Sequence, residues 1–119
     1  GALKNRILYI QKLVPDAAII LIGPSDMSRL NDGIFETYPL LPYTVERMQK
    51  MCAENGVAFW NLYAAMGGYN SMPAWVSQGL AGSDYVHFSP RGASIVSQYF
   101  YEAFGAAYTD WQTKKGGHE

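Results

Sequence analysis

The chain has little with which to staple, clamp or charge itself. Cys52 is its single cysteine, so no internal disulfide can form. It falls in an apolar helical stripe and reads as a core residue. No Cys and His cluster has metal-ligand spacing, and no glycine-rich loop is suited to cradling phosphate. No cofactor is therefore expected. No apolar run is long enough to span a bilayer. Charge is scarce and balanced: 9 Lys and Arg against 10 Asp and Glu give a net charge of −1. That excludes the basic patch that nucleic acid or an anionic membrane would require. What is present instead is apolar. Hydrophobic residues make up 49% of the 119 positions, enough for one core in one domain and too much for a disordered chain.

The spacing of those residues divides the chain. Leu3, Ile7, Ile10 and Val14 recur at helical intervals, predicting an amphipathic helix over 3–14 that ends at Pro15. The unbroken apolar run 17–22, closed by Gly23-Pro24, has the pattern of a strand covered on both faces. An irregular stretch over 23–41 follows, long enough to suggest a functional loop. Val45, Met48 and Cys52 mark a second helix over 42–54, stopped by Asn55-Gly56. Residues 57–61 form a second buried-type strand. The region 62–88 is broken and rich in Gly and aromatics, with a short helix over 74–78. Ser89-Pro90 opens the last helix, Ser as N-cap and Pro in the first turn. That helix should bury Ile95, Val96, Tyr99, Phe100 and Ala103. From 109 onward a polar, frayed tail is expected, with His118 a solvated residue within it.

Helix–strand–helix–strand–helix is the α/β order of a parallel sheet. Two apolar strands make too small a sheet to stand alone. The expectation is therefore that further strands are missing from the N-terminal side or come from another chain. Either way the partner would lie along the 17–22 edge.

The segment Ser83-Asp84-Tyr85-Val86-His87-Phe88-Ser89-Pro90-Arg91-Gly92 carries the chemistry. Asp84 and His87 sit three apart in a loop that leads into a capped helix. Serine-type hydrolysis needs a histidine to take the hydroxyl proton and a carboxylate to fix the imidazole tautomer. A surface histidine beside a turn aspartate is the plain alternative. The same segment resembles the final block of the SGNH/GDSL hydrolases, in which an Asp-x-x-His pair precedes the last helix. The resemblance implies a flavodoxin-like three-layer α/β/α sandwich, present here only in part, with the N-terminal strands missing. It also implies His87 as general base and Asp84 as its orienting carboxylate. The run 19–25 is similar to the family's fourth strand and following loop, and 57–61 to its fifth. A periplasmic or secreted location is implied by the resemblance alone.

The departures are as specific. The family's Gly-Asp-Ser nucleophile motif does not occur, and its oxyanion donors have no match. Gly23-Pro24-Ser25-Asp26-Met27 has some likeness to a nucleophile elbow, but Met27 stands where the second Gly is needed. Ser25, Asp26 and Ser28 can instead be rim residues, because ligands of open α/β sheets bind beyond the carboxyl ends of the strands, or simply turn residues. Tyr38, Met72 and Trp75 can line an acyl or sugar pocket, or equally pack a loop. Two functional readings result. One is an esterase acting on a small-molecule or glycan ester (acylated carbohydrate or lipid), with 1–108 the C-terminal part of its hydrolase domain and the Asp-His part of its triad. The other is a non-catalytic α/β ligand-binding or assembly module.

Overall fold

The computed structural model describes residues 1–116; His118 lies outside them. Helix α1 (Ala2–Leu13) leads into strand β1 (Ile20–Ile22). A hairpin of β2 (Ser28–Asn31) and β3 (Ile34–Thr37) follows, then α2 (Leu41–Glu54) and β4 (Ala58–Trp60). Two short helices, α3 (Leu62–Met66) and α4 (Met72–Ser77), precede the long α5 (Pro90–Gly116).

β1 and β4 pair in parallel, Leu21 opposite Phe59. Alternation along the strands sends Leu21 and Phe59 to one face, where they pack with Ile7 of α1, Cys52 of α2 and Val57. It sends Ile20, Ala58 and Trp60 to the other face, where they line a cavity together with Phe100 and Ala103 of α5. Trp60 meets Phe100 edge-on at 5.2 Å between ring centres. Helices thus cover both faces of a parallel pair, a partial α/β/α sandwich as expected. A second, separate core of Leu62, Met66, Met72, Trp75, Leu80 and Ala81 lies beneath the 81–88 loop.

Three features depart from the sequence reading. The stretch 23–41 is not irregular: it contains the β2–β3 hairpin, turned by Asp32 and Gly33 at φ 50° and 79°. Two central residues at positive φ are what a tight two-residue hairpin turn requires. Asn61 does not extend β4. Its side chain caps α3, Oδ1 accepting the Ala64 N–H at 2.9 Å. Finally, α5 does not end near 108 but continues as helix to Gly116, with Tyr108 and Trp111 stacked along it.

Candidate active site

The 81–88 loop is closed by an antiparallel bridge between Ala81 and Phe88. The Gly82 N–H donates to the His87 carbonyl at 2.8 Å, and the Tyr85 N–H to the Gly82 carbonyl at 3.0 Å. Tyr85 sits at φ 58°, in the left-handed region. This turn aims two consecutive N–H groups at one carboxylate oxygen: Asp84 Oδ1 accepts from Val86 N at 2.9 Å and His87 N at 3.0 Å. The second oxygen, Oδ2, lies 2.7 Å from His87 Nδ1.

The electrostatics follow from those contacts. The His87 N–H, then the His87 ring and the Val86 N–H, bring the Asp84 carboxyl down from its ordinary 3.8 to about 2. At neutral pH Asp84 is therefore a carboxylate, an acceptor only, so the proton between the pair rests on Nδ1. A neutral imidazole with its proton on Nδ1 presents Nε2 as the acceptor. The pair is solvent-facing: the His87 side chain is 83% exposed and that of Asp84 51%.

The loop passes into α5 through a tight junction. Ser89 Oγ accepts the Gly92 N–H at 3.1 Å and donates to the Gly79 carbonyl at 2.8 Å, so Ser89 caps the helix as expected. Gly92 is required there. A Cβ at this position would fall on the Leu80 carbonyl, far inside contact distance.

The other expected site residues scatter. Ser25 is half-buried in the loop after β1, and Tyr38 is exposed at the foot of the hairpin. Four residues are buried. Asp26 is not on a rim: it is 0% exposed, and its two oxygens accept from Thr37 Oγ1 at 2.7 Å and Met72 N at 2.8 Å. Buried carboxylates persist only with such partners. Ser28 is buried too, its N–H donating to the Tyr85 carbonyl at 3.0 Å. Met72 and Trp75 are core residues; the Trp75 indole N–H donates to the Met66 carbonyl at 3.0 Å. The sequence reading missed Phe35, whose ring stacks on Tyr85 at 3.6 Å and 7° between planes. The signal for it was the Asp32-Gly33 dipeptide, a hairpin-turn cue, between two short segments of mixed polarity.

The fold has counterparts among solved structures. A peptidoglycan O-acetylesterase superposes with a TM-score of 0.81 at 24% identity, over 90% of this chain and 31% of that one. The esterase domain of the ORF1 protein of a zebrafish retrotransposon, ZfL2-1, superposes with a TM-score of 0.63 at 21% identity, over 87% of this chain and 58% of that one. The chain thus shares its fold with part of each of these two esterase structures. It spans about a third of the first structure's length and under two thirds of the second's. No family model matches it, and no curated protein matches it by sequence. The likeness is therefore one of fold, at low sequence identity. Among the described residues no helix is long and apolar enough to cross a membrane.

Proposed function

We propose that this chain supplies the proton-handling half of a serine esterase of the SGNH type. The observation that carries the reading is the bond between Asp84 Oδ2 and His87 Nδ1, with the rest of the ring facing outward. In the proposed reaction His87 Nε2 takes the proton of a serine hydroxyl as that oxygen attacks an ester carbonyl. It then returns the proton to the departing alcohol, while Asp84 stabilises the imidazolium. The serine and the oxyanion donors lie in the part of the fold that this chain does not span. The likeness to a peptidoglycan O-acetylesterase favours an acylated carbohydrate over a lipid ester as substrate. Ser25, expected at the rim, and Tyr38, expected to line a pocket, both keep some accessibility and are proposed as contacts to that substrate.

The alternative of a non-catalytic module is favoured by one observation: among the described residues, five cavities form on the surface and neither Asp84 nor His87 lines any of those five. The deciding experiment is hydrolysis of an aryl acetate and an O-acetylated glycan by a protein that joins this chain to the remainder of its fold. His87→Ala should lower kcat by about four to six orders of magnitude. A near-normal rate in that variant would remove His87 from the mechanism. The 119-residue chain alone should show no turnover; turnover abolished by Ser25→Ala would make Ser25 the nucleophile instead.

A further inference from the structure

The Asp84–His87 geometry depends on one unusual residue. Tyr85 is an aromatic residue at φ 58°, a conformation that costs a non-glycine residue about 1–2 kcal/mol. Were Tyr85 to relax to negative φ, the peptide plane after it would rotate. The N–H groups of Val86 and His87 would no longer converge on Asp84 Oδ1, and the ring that follows would swing away from Oδ2. The loop's own bonds are solvent-exposed, so water competes for them. Something outside the loop has to favour the turn.

The β2–β3 hairpin makes two contacts with Tyr85. Its first residue donates a backbone N–H to the Tyr85 carbonyl at 3.0 Å, and Phe35 lies flat on the Tyr85 ring. Together they grip both the main chain and the side chain of the strained residue. The hairpin is in turn pinned at its base. Asp26 bonds Thr37 and the first N–H of α4, while Thr37 and Asn70 exchange two further bonds at 2.8 and 2.9 Å. A continuous set of contacts therefore runs from the buried carboxylate, through the hairpin, to the exposed pair.

We propose that the β2–β3 hairpin sets the Asp84–His87 geometry, with Phe35 a positioning residue that holds the Tyr85 turn. The inference rests on the reading of Asp84 and His87 as a functional pair and adds the element that orients it. Phe35 touches no reacting atom; it acts through Tyr85. Stacked aromatic pairs contribute beyond their buried area. This one keeps its ring pair half-buried beside a solvent-facing loop.

The test reads the imidazole directly. In the 15N-labelled 119-residue chain, long-range proton–nitrogen NMR at a pH where the ring is neutral reports which nitrogen of His87 carries the proton. His118→Gln removes the second histidine signal. The wild type should show the Nδ1–H tautomer. Asp84→Ala should shift the majority of molecules to Nε2–H, the form a free histidine side chain prefers in water. Phe35→Ala should shift the population the same way, and Phe35→Tyr should restore it. Phe35→Leu keeps apolar volume without the flat face. It should behave like the alanine variant and covers the case in which Phe35→Ala fails to fold, monitored by circular dichroism. A wild-type tautomer in folded Phe35→Ala or Phe35→Leu, with the shift still seen in Asp84→Ala, overturns the positioning role and leaves the pair intact. No shift in Asp84→Ala would overturn the reading of the pair itself.

Discussion

At the scale of single residues, two positions have consequences that can be measured without any substrate. The Asp84 carboxyl is brought from 3.8 to about 2 by the His87 N–H, the His87 ring and the Val86 N–H. A carboxyl lowered in the folded state binds its proton less readily there than in the unfolded chain. Its contribution to stability is therefore whole above 3.8 and is lost as pH falls through about 2. The stability difference between wild type and Asp84→Asn, from urea melts at stepped pH, should shrink as pH falls through that window. A difference that persists below pH 2 would mean that Asp84 acts through packing. Gly92 makes the opposite kind of claim, since its requirement is steric and independent of pH. A methyl group there meets the Leu80 carbonyl backbone rather than a flexible side chain, so relief requires α5 to move. Gly92→Ala should cost about 3 kcal/mol in denaturant melts and disturb the adjoining Asp84–His87 loop. A neutral substitution would show that the helix start has slack.

At the scale of elements, the hairpin is held by a buried carboxylate rather than by apolar packing. Leu30 and Ile34 are both largely exposed, whereas Thr37 and Ser28 are buried. Removing the Asp26 side chain would strand the Thr37 hydroxyl and the Met72 N–H, each a buried donor. Leaving such groups unsatisfied costs about 1–3 kcal/mol apiece. Asp26→Ala should therefore destabilise by about 3 kcal/mol or more, and hydrogen exchange should quicken first at the Ser28 and Thr37 amides. Loss of stability without local exchange at the hairpin would place the role of Asp26 elsewhere. The first helix presents the contrary case. Its expected stripe of Leu3, Ile7, Ile10 and Val14 buries Ile7 alone. The other three follow the helical period but stay 37%, 43% and 48% exposed.

At the scale of the whole molecule, the shape is too open for its length. The radius of gyration is 16.8 Å, against about 13.5 Å for a compact domain of this size. The β1–β4 pair is the reason on one side: among the described residues no strand pairs with the second edge of β1, and Ile20 and Ile22 are 41% and 50% exposed. Such an edge is a template for pairing. The isolated chain is expected to self-associate along β1 and α1, with a symmetric or swapped dimer as the closed form. Light scattering at micromolar concentration should show the association, and Ile22→Lys should weaken it by charging the edge. A monodisperse monomer would sink the idea.

How much of this was legible beforehand divides along a physical line. The helices around Ile7, Cys52 and Ile95, the two parallel strands, and the Asp84–His87 pair with its Ser89 cap were all readable from the sequence. Each rests on local periodicity or on contacts within a few positions, and those depend on neighbours in the chain. The hairpin carried a local signal in Asp32-Gly33 that its polar, poorly alternating flanks obscured. The roles of Asp26, Ser28, Met72 and Trp75 left no such trace. Asp26 meets Met72 from 46 positions away, and whether a carboxylate in a turn faces water or a buried amide depends on which segments fold above it. Tyr85 is the same case in reverse. Its positive φ is unfavourable in isolation and persists alongside Phe35, a partner 50 positions earlier in the chain. The sequence by itself determined the elements and the chemistry at their ends. Tertiary structure alone decided which polar groups were buried and what held the Asp84–His87 loop in place, because burial and strain are properties of neighbours that the chain order does not specify.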